Sequence, residues 1–448
     1  MDRKEDIERV VTESPDSVAK MLRGAAHPAR VMILASLATE HGEFSALIER
    51  TRLSKNALVN HLNQLIDLGL VRRALRGEYA LTDDGRALIL AVANTYRCSV
   101  RRREMEDEAR RRALVLPDGV IKMTRKVLTR PASFQGSWIS YYGAMASLFA
   151  SQGIKCDPAE VAGRSGYAFI INVARGKLCP SGPTALGMEA WVQIREGTET
   201  AGFLLEHWTD YSASEGGSKP SVKELEKMKR LFDRVCNEID RGRPAVVWGL
   251  GLPEYGIVNG YSGDAYIASI VLSRGEPDVE IKYYQLDAPG CYDAYFIKGP
   301  NTRKDDPKQA LARALRFASG EVGAEKGYIN GLQALADWAD ALESSEADST
   351  SYLGNSYVGE CTVEARHLAS VYLGRLAKTT GRTELESASK AYLSVSEQMA
   401  KFTALFPFAP QGELKPADRM AGATLLREAL DLERTAIEKL RAAWEALE

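Results

Sequence analysis

The residues best placed to do covalent chemistry lie in SWISYYGAMASLFASQG, where Ser140 heads a predicted helix that Gly153 closes. A hydroxyl at a helix N-terminus can serve as the nucleophile of acyl or peptide transfer, but only when a neighbouring base takes its proton. Bases are scarce here. His27, His41 and His61 fall in the first ninety residues, which leaves His207 and His367 for the rest of the chain. A Ser140–His207 dyad competes with plain packing of the His207-Trp208 pair, and packing is favoured. Cys156 and Cys179 neither open a helix nor have a recognisable base beside them, so they read as buried or idle thiols. Ser137 is the nearest other hydroxyl. No catalytic residue is assigned.

A second set of residues suits nucleic-acid chemistry. Apolar residues recur at helical spacing from Val18 to Arg23 and from Ala29 to Leu37, with a proline at Pro28 suited to a first helical turn. EFSALIER then predicts a third helix and SKNALVNHLNQLIDLG a fourth, with Ser54 as N-cap and Gly69 where a C-cap glycine belongs. Two short strands come next, Leu70 to Ala74 and Tyr79 to Leu81, around Arg76 and Gly77. Helices, short turn, helix and hairpin in this order predict a winged helix-turn-helix whose fourth helix enters the major groove of double-stranded operator DNA. Ser54, Lys55, Asn56, Asn60 and His61 are the candidate groove residues, and Arg72, Arg73 and Arg76 on the wing can reach phosphates. The buried stripe of the fourth helix is Leu58, Leu62 and Leu65.

On AAHPARVMILASL, SKNALVNHLNQLIDLGLV and EYALTDDG the segment resembles the ArsR family of transcriptional regulators. That resemblance implies operator binding and a homodimer, with the helix from Asp84 onward in the dimerisation position. No cysteine precedes Cys98, so a thiolate metal sensor is not expected. RCSVRRREMEDEARRR, from Arg97 to Arg112, reads as a partly self-compensated charged helix that Pro117-Asp118-Gly119 breaks.

Between about residues 134 and 300 the composition turns aromatic and β-branched. RPAVVWGL, YGIVNGYSG, AYIASIVL, EIKYYQL and CYDAYFIKG predict an antiparallel sheet preceded by helices over Ser140–Gln152, Asp157–Ala162 and Val222–Asp240, an α+β arrangement. The order helix SYYGAMASLFASQG, loop VAGRSGYAFI and strand EYGIVNGYSGDAYI resembles papain-like folds of the bacteriocin leader-peptidase type and the N-terminal domain of the butirosin-biosynthesis acyltransferases. The resemblance implies a cysteine where Ser140 stands, a histidine where Glu254 stands beside Tyr255, and an acid near Ser269, with Gln135 on the oxyanion side. Those departures imply a pseudoenzyme that keeps its cleft. Trp138, Tyr141, Tyr167, Trp248 and Tyr255 would line that cleft for a small-molecule ligand, with Gln135, Ser140 and Glu254 as polar anchors.

From Asp306 onward five segments have apolar residues at helical spacing and predict a bundle. With 448 residues, 45% hydrophobic and 26% charged, several folded domains are expected. They are a winged helix-turn-helix over 1–96, a linker or dimerisation helix over 97–130, a papain-like α+β sensor over 131–303 and a helical bundle over 304–448. The charged start MDRKEDIERV and the lack of a long apolar run lead to the expectation of a cytoplasmic protein with no membrane partner. No C-x-x-C pair, glycine-rich phosphate loop or H-E-x-x-H motif occurs, so neither metal nor cofactor is expected. The alternative is an acyltransferase or amide hydrolase that uses Ser140 and carries a DNA-binding domain.

Overall fold

The computed structural model describes residues 12–38, 42–75, 77–97, 99, 125–176, 178–211, 220, 222–271, 278–287, 291–303, 306–344, 349–408 and 416–447. They belong to two compact units, Met1–Val120 and Ile121–Glu448. Arg76, His41 and most of the predicted linker helix, with its Pro117-Asp118-Gly119 break, lie outside the described residues.

In the first unit the order is α1 Pro15–Ala25, α2 Pro28–Leu37, β1 Gly42–Glu43, α3 Phe44–Thr51, α4 Lys55–Asp67, β2 Val71–Leu75, β3 Glu78–Leu81 and α5 Asp83–Arg97. Local chemistry sets the boundaries. Pro28 opens α2 behind His27, whose Nδ1 accepts from the Ala29 N–H at 3.2 Å. The Ser54 hydroxyl accepts from the Ala57 N–H at 3.3 Å, and Gly69 leaves α4 at φ +71, a conformation that side-chain-bearing residues resist. The three strands form an antiparallel sheet in the order β1-β3-β2. Ile33, Leu34, Leu47, Leu58, Leu62, Leu65 and Leu88 make the core of this unit.

The second unit is built on a sheet of antiparallel pairs ordered β10-β9-β8-β7-β11-β6: β6 Phe203–Tyr211, β7 Ala245–Trp248, β8 Tyr255–Ser262, β9 Ala265–Ser269, β10 Val279–Lys282 and β11 Cys291–Pro300. A short strand β4, Arg125–Val127, pairs with β8 at Gly260–Ser262, where Gly260 lets the chains approach: an added Cβ would lie 2.3 Å from the Lys126 carbonyl. Helices α6 Ser140–Ser151, α8 Met188–Glu199 and α9 Val222–Asp240 pack on the sheet, and α7 Pro158–Ser165 packs on α6 and α8. A second pair of strands, β5 Asn172–Ala174 and β12 Tyr328–Asn330, ties the middle of the chain to the helical segments beyond residue 306.

Helices α10 Pro307–Ala318, α11 Leu332–Glu343, α12 Ser349–Thr380, α13 Thr383–Leu405 and α14 Pro416–Glu445 complete the unit. They are not a separate body. One continuous core runs from Tyr141, Phe149 and Tyr295 through Trp338 to Tyr392, Phe402 and Leu426. The chain divides at 120/121 and not at the expected 303/304, since α12 packs on α7 and on the turn at Tyr167–Phe169, and Tyr392 of α13 meets Phe169 edge-on. Within the stretch from Asp306 onward, expected to be helical, Tyr328–Asn330 forms the strand β12, and the following helix begins only after Gly331 turns the chain at φ +70.

Candidate functional site

Two surfaces carry the candidate residues, one in each unit. On α4 the buried stripe Leu58, Leu62 and Leu65 turns Lys55, Asn56 and Asn60 outward, all exposed, while Ser54 is engaged as the N-cap. Val59 and Asn63 share that outward face but were missed; the same helical spacing would have found them. Arg72 and Arg73 are exposed on β2, and Arg73 Nη2 donates to Asn63 Oδ1 at 3.4 Å, joining the hairpin to the helix.

His61 departs from this face. Its ring packs against His27 with centroids 4.6 Å apart, so the side chain is directed at α2. Desolvation, then the neighbouring His27 and Arg30, hold its proton affinity below the ordinary histidine value.

In the second unit the helix α6 delivers Ser140 beside the start of β8. The Ser140 hydroxyl donates to Glu254 Oε2 at 2.5 Å and accepts the Tyr255 N–H at 2.9 Å. Glu254 Oε1 accepts the Tyr357 hydroxyl. A second carboxylate, Glu364 on α12, caps the chain entering α6: it accepts the Trp138 N–H at 2.9 Å, the Ile139 N–H at 2.9 Å and the Ser137 hydroxyl at 2.8 Å. Glu364 went unpredicted, since it reaches the turn before α6 from a helix that is distant in sequence and carries no local signature.

Burial pushes both carboxyls above the ordinary carboxylate value, and the charge of Glu364 adds to the rise at Glu254. Hydrogen bonds from Ser140 and Tyr357, and from the 137–139 backbone and hydroxyl, only partly offset this. A carboxyl with a raised folded-state pKa binds protons more tightly folded than unfolded, so stability falls as pH rises from the ordinary value of 4.5 towards the raised one. The melting temperature of the full chain is expected to decline over that window, and Glu254→Gln is expected to flatten the decline when both proteins are melted across about pH 4.5 to 8.

The remaining candidates surround this pair. Tyr141, 1% exposed, packs edge-on against Tyr167, Tyr255 and Tyr295, and shares a hydrogen bond with Thr198 at 3.1 Å. Tyr167 donates to the Pro183 carbonyl, and Trp248 sits edge-on to Tyr255 at 4.9 Å. These rings fill space next to Ser140. Trp138 is half-buried and meets Tyr357 and Phe408 edge-on. Gln135 is turned away: its amide donates to the Cys156 carbonyl at 3.4 Å, and its N–H donates to Ser147. Ser269 accepts the Phe134 N–H at 3.0 Å.

His207 lies on β6, stacked on Tyr295 and bonded to Asp293 at 2.7 Å, while the other Asp293 oxygen accepts the Tyr255 hydroxyl at 3.0 Å. The imidazole thus supports the sheet behind Tyr255, and it is the Glu254 carboxylate that meets Ser140. Burial raises the Cys156 thiol to about 12, which fits an unreactive sulfur. Among the described residues no group of three potential metal ligands occurs, and no helix is long and apolar enough to cross a membrane.

Residues 27–73, from the N-cap of α2 to the middle of β2, match the family model of bacterial regulatory proteins of the arsR family. The match supports a DNA-binding transcriptional regulator. Comparison with curated proteins gives no match.

Proposed function

We propose that this chain is a ligand-responsive transcriptional regulator that acts as a homodimer, in which the winged helix binds operator DNA and residues 125–447 form a catalytically inactive, papain-like ligand-binding unit. The outward stripe of Lys55, Asn56, Asn60 and Asn63 on α4, beside the exposed Arg72 and Arg73, is the observation that carries the DNA-binding half. A ligand shifts operator affinity only if it binds unequally to the DNA-competent and DNA-incompetent states. Binding of the full chain to its own upstream DNA, titrated at two salt concentrations, tests the reading: a steep salt slope with preference over unrelated DNA is expected, and no preference overturns it.

The second half of α5 supports the dimer. Gly85, Leu88 and Ile89 are buried in the unit, but from Leu90 to Tyr96 every residue is exposed, including Leu90, Val92 and Tyr96. Leu90 and Val92, exposed among the described residues, make an apolar helix face that a second copy can cover. Light scattering is expected to give twice the chain mass, and Leu90→Asp with Tyr96→Asp to give a monomer with an intact winged helix.

For catalytic inactivity the support is Ser140 itself. At 3% exposure, with its oxygen held between Glu254 and the Tyr255 N–H, it offers a substrate carbonyl no open approach. The Ser140–Glu254 hydrogen bond itself favours the alternative of acyl transfer or amide hydrolysis with Glu254 as base. Product formation from an acyl thioester that Ser140→Ala abolishes would decide for that alternative.

A further inference from the structure

Two half-buried carboxylates without a cation beside them need an explanation. Neither Glu254 nor Glu364 makes an ion pair with a lysine or arginine among the described residues. The nearby Arg366 is committed to Glu433 at 2.9 Å, and the exposed His367 is an electrostatic neighbour of Glu364 without an ion pair to it. Their hydrogen bonds come from neutral donors and leave lone pairs over, two accepted at Glu254 and three at Glu364. A pair of negative charges in this setting is costly until a proton or a cation joins it.

The surroundings select the kind of cation. Trp138, Tyr357 and Phe408 meet one another with centroids 4.9 to 6.3 Å apart, and Phe408 is 45% exposed. Tyr357 links this aromatic group to the acids through its hydroxyl on Glu254, and the backbone N–H of Trp138 holds that residue on Glu364. Aromatic faces attract organic ammonium ions, which keep methylene or methyl surface to bury, whereas a metal ion would demand further oxygen ligands. An independent observation points to the same place. Tyr142 is 0% exposed, its hydroxyl has no hydrogen-bond partner among the described residues, and its electrostatic neighbours are Tyr167, Glu364, the Glu433-bound Arg366 and Cys361. A buried phenol left unpaired beside a carboxylate is a ready acceptor for an N–H donor.

We infer that the Trp138, Tyr357 and Phe408 group over Glu254 and Glu364 is a binding site for an organic ammonium ion. This deepens the ligand-binding reading and rests on it. Ser140 then positions Glu254 for the cation, and Glu364 both holds the 137–139 turn and completes the charge.

Calorimetric titration of the full chain at neutral pH with n-butylammonium and tetramethylammonium chlorides, with n-butanol as the uncharged analogue, tests the inference. At least one ammonium is expected to bind at least tenfold more tightly than butanol. Glu254→Gln is expected to weaken it at least tenfold, as is Phe408→Ala, which removes a half-exposed ring outside the buried core. Equal binding of butanol, absence of ammonium binding, or unchanged affinity in both variants overturns the site. Ammonium binding that leaves operator affinity unchanged supports the site and refutes the sensor reading; operator release by a neutral compound without ammonium binding refutes the site alone.

Discussion

Arg366→Ala is expected to destabilise the 125–447 unit by about 3 to 5 kcal/mol, a loss that is a large fraction of a domain's stability. Arg366 is 1% exposed and lies on α12. Its Nε and Nη2 form a two-point bond with Glu433 of α14 at 2.9 Å each. Its remaining donors satisfy the carbonyls of Ala168, Phe169 and Ile170 in the turn after α7, and the guanidinium lies 5.8 Å from the Tyr392 ring centroid. One side chain thus fastens two bundle helices to the turn that leads out of α7. Truncation strands a buried carboxylate and three carbonyls at once, which is why the cost exceeds the worth of the ion pair. Urea unfolding of both proteins measures it. The double variant Arg366→Met with Glu433→Leu is expected to recover part of the loss, since it removes the stranded charge but not the carbonyls' need for donors. A loss under about 1 kcal/mol for Arg366→Ala would show that water enters and replaces the guanidinium.

The contrast with what the amino-acid order alone reveals is physical. In α4 every signal is local: Ser54, the Leu58, Leu62 and Leu65 spacing and Gly69 all act within one helix, so its bounds and its outward face were legible. The juxtaposition of Ser140 with Glu254 was also within reach, because a helix-loop-strand order brings the head of α6 to the start of β8. Glu364 was not, since it acts through contacts 225 to 227 residues apart, and its helix α12 has apolar and polar residues mixed around its circumference. Strand β6 escaped notice for another reason. Glu206, His207 and Asp210 interrupt its apolar pattern, and they are accommodated because Arg234 and Lys227 of α9 and Asp293 of β11 meet them. Charges that look like loop residues in isolation are here the polar edge of a sheet.

The second large effect lies in DNA binding. Asn60→Ala is expected to weaken operator binding by about 1 to 3 kcal/mol, or about five- to 150-fold, while leaving affinity for unrelated DNA unchanged. Arg72→Ala is expected to weaken both alike and to reduce the salt slope by about one, the signature of a lost phosphate contact. The difference comes from placement: Asn60 projects from the exposed face of the helix that would lie in the groove, and its amide can make two bonds to an adenine edge, whereas Arg72 projects from the hairpin beside it. His61→Ala separates this reading from the expectation that set His61 among the groove residues. Because its ring packs on His27 rather than outward, its loss should loosen α4 on α2 and lower affinity for all DNA together with the melting temperature of the first unit. Operator selectivity lost in His61→Ala but kept in Asn60→Ala would reverse the assignment, and would mean that α4 rotates on the core when it meets DNA.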